Sequence, residues 1–575
     1  MRFKSKTTNG FTIYAVTGIN AISFAIDFEK ADTKGLLGFA IERNDVATKE
    51  RKFLTGFKVF KELIAEPTSE TSVSTLEHPL QSFVWDDYVN KSDAEFEYFF
   101  YPMKGSPKTL EKGKPIKIAL KTEPLFTTQE HDIFFNSGTA SKRAYTVKFG
   151  KQHPLLLREP KKTEALNWLS RDLSAAIYKF IAQAKKGDAL RCCLYEFSYV
   201  PVLQALKKAI EIGVDVQIIL DMKDSGKEHS QPRDESLEAI QKAGLPMQNV
   251  IARTANSKEI QHNKFMVFIE AGTPKAVWTG STNISFAGIH GHSNVGHWVR
   301  NQQVASKFVE YWELLKTNPG YLATDAADVQ KKKHADLQKA VFKIQEPFKP
   351  TEIAKIPSGT TAIFSPQPDL TALKTCAELM DKAKTLACIT LPFGINKTLT
   401  DVFLDNTDQN HLVFMLFDTP PKELKVTEKQ NVYVAWGVNT DTNTVSDLSN
   451  QPTMRALNMN VEFIHTKILL MDPLSADPIV VSGSANFTNA STTNNDENML
   501  VIRGNKRVAD ICLTEYNRLF HQFYAAMTLQ NLDLEAKKAS LTTTMYLDPT
   551  DNWLKKYDKG TLRYKRVKSF VNMVL

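Results

Sequence analysis

Two stretches of this chain repeat the same polar residues at one constant spacing. The first reads His262-Asn263-Lys264, then Gly280-Ser281-Thr282-Asn283, then Asn294 and Arg300. The second reads His465-Thr466-Lys467, then Gly483-Ser484-Ala485-Asn486, then Glu497 and Arg503. The His, Lys, Ser, Asn, Asn/Glu and Arg positions all recur at an offset of 203. Upstream, Leu194 and Leu391 recur at 197, as do Asp221 and Asp418. A repeat kept only for packing retains apolar positions, whereas this one retains groups that carry charge and protons. The chain therefore folds as two similar units of roughly 180–200 residues, each contributing half of a polar site.

Within each unit the hydrophobic pattern alternates between helix and strand. Residues 165–185 have helical spacing, and 189–195 read as a buried strand. The 201–212 segment places Val202, Leu203, Leu206, Ala209 and Ile210 on one helical face, and Gly213 stands just past its end. The next strand runs to Asp221, which makes a βαβ unit with parallel strands. Residues 385–391, 397–404 and 411–417 repeat the order, and a helix over 507–527 closes the second unit. The expected fold class is α/β, with duplicated lobes at 126–345 and 346–530 joined through the charged stretch from Lys331 to Pro350. Residues 1–125 read instead as an all-β sandwich-like accessory domain, with short strands near 11–16, 21–28 and 95–102. Trp85-Asp86-Asp87-Tyr88 followed by Tyr98-Phe99-Phe100-Tyr101 resembles immunoglobulin- and fibronectin-type domains. This region holds no catalytic constellation and is expected to pack or to bind a protein partner.

Composition narrows the classes. The 575 residues are 42% hydrophobic and 24% charged, with five scattered cysteines, which excludes fibrous, disordered and disulfide-scaffold chains. Cys192, Cys193, Cys376, Cys388 and Cys512 lie in apolar segments and read as small buried hydrophobes. No apolar run reaches membrane-spanning length, and the basic N-terminus lacks an apolar leader, so a cytoplasmic location is expected. Net charge is +8, and the last 25 residues hold seven Lys/Arg against Asp551 and Asp558. The 531–575 segment thus reads as a basic aromatic tail, either a solvated end or an arm for phosphates or an anionic membrane.

The repeated residues suit a phosphodiester. His262 and Lys264 stand two apart at the start of an apolar strand and face one side, as do His465 and Lys467. The returning strands end at Gly280-Ser281 and Gly483-Ser484. Two lysines and two asparagines, Asn283 and Asn486, can cradle non-bridging oxygens. One imidazole can attack phosphorus while the other protonates the leaving oxygen and then activates water. Lysine supplies the positive charge, so this chemistry calls for no metal or cofactor. His290, His292 and His297 are the one metal-like spacing nearby, beside a Gly-containing loop. Tyr195-Glu196 ends a strand facing the expected cleft.

The H-x-K-x4-D pattern followed by G-S-x-N, present twice, resembles the phospholipase D superfamily across about 126–530. The second motif is complete: His465-Thr466-Lys467, Asp472, Gly483-Ser484-Ala485-Asn486. The first has Ile269 where the acid belongs, with Glu270 one residue late. The resemblance implies a bilobal fold with the site on a pseudo-twofold seam, His262 as nucleophile and His465 as general acid. It also implies that Glu497 orients a catalytic histidine and that Asn294 and Asp472 support the site. The leading expectation for function is a metal-independent nuclease acting on DNA or RNA through a phosphohistidine. The alternatives are a phospholipase D or phosphatidyl transferase on an anionic phospholipid surface, and a catalytically silent phosphodiester-binding protein.

Overall fold

Two seven-stranded mixed sheets with one shared strand order form the body of the protein. In the first lobe the strands are His131–Phe135, Ala189–Leu194, Asp215–Asp221, Val250–Arg253, Lys264–Glu270, Thr273–Gly280 and Val295–Val299. In the second they are Gly359–Ser365, Leu386–Leu391, Leu412–Phe417, Val432–Trp436, Ile468–Met471, Ile479–Gly483 and Glu497–Arg503. Across each sheet the order by chain position is first, seventh, sixth, fifth, second, third, fourth. The second to fourth strands run parallel and the others antiparallel. The buried run Leu412–Phe417 carries no alternation, as a parallel strand covered on both faces requires. The computed structural model describes residues 1–67, 71–138, 145, 148–150, 152–224, 226, 229–345, 355–405, 411–421, 431–437, 464–530 and 545–575, without the side chains of 402–405 and 525–530.

The lobes share one apolar core. Helix Gln302–Lys316 lies between them. Its Phe308 and Tyr311 pack on Phe265 of the first lobe and on Phe364 of the second. Tyr311 Oη donates to Ser365 O at 2.6 Å, and Trp312 Nε1 to Cys192 O at 2.9 Å. Helix Lys506–Gln530 plays the matching part, with Tyr516 Oη donating to Ile389 O at 3.2 Å. A buried ion pair, Arg253 Nε to Asp496 Oδ2 at 2.8 Å, also crosses the lobes. The five cysteines are free and buried.

One helix differs from expectation. The 165–185 stretch is two helices, Lys161–Ser170 and Leu173–Ala182. Arg171 breaks them with a positive φ of 48°. Its guanidinium reaches Phe135 O at 3.0 Å and Glu515 at 3.3 Å, partners that a continuous helix would turn it away from.

The N-terminal region is a two-sheet β structure. Arg2–Lys4, Phe11–Thr17, Ala21–Phe28 and Val84–Tyr88 form one sheet. Gly38–Asp45 and Glu95–Ser106, flanked by Arg51–Phe53, Thr109–Lys112 and Ile116–Lys121, form the other. Phe11, Ile13 and Phe24 meet Phe39, Tyr98 and Phe100 in the core between them. The chain's last 31 residues are built into this core and do not form a free arm. Trp553, Tyr557 and Val567 are buried there, because their apolar area finds no other cover. Trp553 Nε1 donates to Leu36 O at 2.8 Å, and Lys568 pairs with Asp27 at 2.6 Å. No helix among the described residues is long and apolar enough to cross a membrane.

Replacing Trp553 by Ala removes this anchor and leaves a cavity, at a cost of about 3–5 kcal/mol. The expected result is a lower unfolding midpoint and faster proteolytic release of the C-terminal segment. An unchanged midpoint and an uncleaved tail would show that the anchor is not needed.

Candidate active site at the lobe interface

The site is assembled by two short backbone bridges between the lobes. Gln261 lies parallel to Asp496, and Ser293 parallel to Ile464. His262 N donates to Asp496 O at 2.9 Å, and His465 N to Ser293 O at 3.2 Å. The approach to each histidine is held by the aspartate that ends the third strand of its own lobe. Asp221 accepts the Gln261 N–H at 2.7 Å, and Asp418 accepts the Ile464 N–H at 2.7 Å. The early repeat of Asp221 and Asp418 therefore records a structural task.

The bridges exchange partners between the lobes. His262 Nδ1 lies 2.8 Å from Glu497 Oε1, and His465 Nδ1 lies 2.8 Å from Asn294 Oδ1. Hydrogen-bond accounting sets the direction of both contacts. Ser484 Oγ accepts the Asn498 N–H and donates to Glu497 Oε2 at 2.6 Å. Ser281 Oγ accepts the Val295 N–H and donates to Asn294 Oδ1 at 2.8 Å. Asn294 Nδ2 donates to Gly288 O at 2.8 Å, which fixes the amide with its oxygen toward His465. Both histidines therefore donate from Nδ1, and each neutral ring keeps its lone pair on Nε2. Ser281 and Ser484, predicted as site residues, hold the orienting groups.

The electrostatics of the two halves differ. Burial pushes the Glu497 carboxyl up, but His262 and Lys264 outweigh it and hold the group below the usual carboxylate range. Burial pushes His262 down to about 4 despite that neighbouring charge, so its ring is neutral. Burial, Lys467 and His292 hold His465 well below its ordinary value. Lys264 Nζ donates to His262 O at 2.7 Å, and Lys467 Nζ to His465 O at 2.8 Å. Burial lowers Lys264 to about 8. Burial and the Lys264 charge lower Lys467 well below its ordinary value. Two buried cations this close are relieved by an anion between them. Asn283 and Asn486 each leave a buried side-chain oxygen without a hydrogen-bond partner among the described residues, where a ligand can complete the network.

The missing acid of the first motif is compensated locally. Asp472 accepts backbone N–H groups of Lys384, Thr385 and Leu386 at 2.8–3.2 Å, pinning the turn before Leu386–Leu391. In the first lobe Asp188, one strand away from Ile269, accepts from Lys185 N at 2.9 Å and Ala271 N at 3.1 Å. The carboxylate has moved to the facing turn and ties the same two segments.

Other residues complete the walls. The Tyr195 ring stands edge-on to His262 at 5.0 Å, and Lys264 Nζ lies 5.2 Å from the Tyr195 centroid. Burial raises the Glu196 carboxyl, despite Ser285 and Lys264 nearby. Sequence reasoning missed Phe393, whose ring lies 5.9 Å from Lys467 Nζ. It also missed Asn498, which joins Thr279 at 2.5 Å and Asn263 at 2.8 Å. Asn263 stands between the motif His and Lys, and that position was the available signal. The spacing of His290, His292 and His297 does not bring them together. His290 stacks on Phe286, His292 faces His465, and His297 is buried near His131. No group of three metal-ligating side chains is found among the described residues.

The sequence model of a family described as cardiolipin synthase, phospholipase D-like domain, matches residues 177–315 and 377–522. The chain belongs to the phospholipase D superfamily. Both matched segments carry one copy of the motif, and members of the superfamily hydrolyse or transfer at phosphodiester bonds. Among solved structures, phosphatidylserine synthase of Haemophilus influenzae is 13% identical, covering 71% of this chain and 94% of its own, at a TM-score of 0.43. Nuc from Salmonella typhimurium is 18% identical, covering 28% of this chain and 95% of its own, at a TM-score of 0.21. Yeast tyrosyl-DNA phosphodiesterase is 10% identical, covering 55% of this chain and 82% of its own, at a TM-score of 0.28. No curated protein matched the sequence.

Buried neutral imidazoles give the fold an acid limit. His131, His262, His290 and His292 are pushed down to about 4 by burial, and His297 to about 3. The unfolded chain protonates these groups near ~6.5, so it binds more protons than the folded chain below that pH. Their contribution is complete above about pH 6.5 and is lost as pH falls through 4. His297→Leu should flatten the decline of the unfolding free energy between those values, by up to about 1.4 kcal/mol per pH unit. An unaltered slope would mean that His297 is not held neutral.

Proposed function

We propose that this protein is a metal-independent phosphodiesterase that works through a phosphohistidine on His262. One observation carries the assignment of roles: Glu497 orients His262, whereas a neutral amide, Asn294, orients His465. A carboxylate behind Nδ1 strengthens Nε2 as a nucleophile and stabilises the positive ring that forms when it bonds to phosphorus. Lys264, Lys467, Asn283 and Asn486 balance charge on the non-bridging oxygens. In the first step the His262 Nε2 lone pair attacks phosphorus, the ester bond breaks, and His465 protonates the leaving oxygen. In the second, His465 takes a proton from water, which attacks phosphorus and frees His262.

For the substrate we put nucleic acid first, on the paired buried lysines that can meet the charge of a phosphodiester. The basic tail no longer supports that reading, since its aromatic residues are core. Phosphatidyl transfer is the second reading, favoured by the description of the matching family.

A nitrophenyl phosphodiester separates the two histidines, because its leaving group needs no acid. His465→Ala should release one equivalent of nitrophenol and stop as an enzyme phosphorylated on His262. His262→Ala should give no burst. A burst from His262→Ala, or label on His465, would reverse the assignment. In EDTA, wild type should turn over DNA, RNA or phosphatidylglycerol vesicles, with a drop of about 10²–10⁴-fold in His465→Ala. Cleavage confined to vesicles would replace the nucleic-acid reading with the lipid one.

A further inference from the structure

The loop after the first Gly-Ser turn carries a third imidazole into the site. It passes through one π-helical turn, Ala287–Gly291, and returns to the sheet at Val295. The Ser293–Ile464 bridge sets His292 against His465, with ring centroids 5.9 Å apart and planes inclined at 54°. The second lobe has Asn495 at the same offset, and its Oδ1 accepts the Ile260 N–H at 3.3 Å. The extra imidazole thus stands only at the half-site whose histidine lacks a carboxylate partner.

His465 needs a proton supply. Its Nδ1 proton is committed to Asn294, and its side chain is only 2% exposed. A general acid must nevertheless carry a proton on Nε2 when the leaving oxygen departs. Lys467, His292, Lys264 and His262 are the charged or titratable groups that act most strongly on His465. The two lysines each donate to a backbone carbonyl, and His262 has its own role beside Glu497. His292, 7% exposed, has neither commitment, and its ring faces that of His465.

We propose that His292 relays protons between solvent and Nε2 of His465 through one bridging water, acting on the reaction through the general acid without touching phosphorus. Binding of the anionic substrate favours the protonated acid, and a solvent proton passes by way of His292 to His465. That proton goes to the leaving oxygen as the phosphorus–oxygen bond breaks and the bond to His262 forms. In the second step His465 takes a proton from the attacking water as the nitrogen–phosphorus bond breaks. Product release removes the anion, and this proton returns to solvent by the same route.

This inference rests on the phosphodiesterase reading. Its test uses the full chain as wild type, His292→Asn and His292→Ala on aryl phosphodiesters from nitrophenyl to unsubstituted phenyl. His292→Asn copies the residue at Asn495 and keeps a polar side chain on the loop. Both variants should lose at least about tenfold more turnover on the phenyl ester than on the nitrophenyl ester, because the poorer leaving group depends on the acid. Added imidazole should restore phenyl-ester turnover in His292→Ala. Equal losses along the series, or no loss, with an active wild type would overturn the relay alone. A wild type silent on the whole series would overturn the phosphodiesterase reading and the relay with it.

Discussion

The active arrangement depends on an exchange of hydrogen bonds across the lobe interface. His262 belongs to the first lobe and its carboxylate partner, Glu497, to the second, while His465 and Asn294 are exchanged the other way. Neither lobe alone has an oriented histidine. The shared core around Phe308, Tyr311 and Phe364, and the buried Arg253–Asp496 pair, hold the interface in register. Arg253 grips the residue next to Glu497, so structural and chemical anchors are adjacent in sequence. Removing one partner of such a buried pair strands a charge, which is why its geometry is kept tight.

The site concentrates charge that burial alone would not tolerate. Two lysines, two imidazoles and one carboxylate are packed with almost no exposure, and their proton affinities move accordingly. The asymmetry between Glu497 and Asn294 breaks the twofold relation of the motifs. One ring has a fixed negative neighbour and the other a neutral amide.

Much of this was legible in the residues. The constant offset identified both half-sites, and His262, Lys264, His465, Lys467, Asn294 and Glu497 all lie at the seam. The parallel βαβ units were legible in apolar runs such as Leu412–Phe417, whose continuous burial needs cover on both faces. Other features were not legible, because they depend on contacts between distant segments. Ser281 and Ser484 were expected in the site with no role of their own, and they hold Asn294 and Glu497. Asp188 replaces the absent motif acid from 81 residues upstream of Ile269. The tail's charge suggested an arm, whereas its aromatic side chains complete the N-terminal core.

By itself the sequence determined the duplication, the residue types of each half-site and the α/β pattern, since these depend on residue type and local spacing. Only the tertiary structure decided which histidine meets Glu497, which residue holds the first motif in place of its acid, and that His292 faces His465. Those outcomes turn on separations of a few ångströms between segments some 80–240 residues apart. Such contacts are set by how the sheets and the helix between them pack, and local periodicity carries no record of that packing.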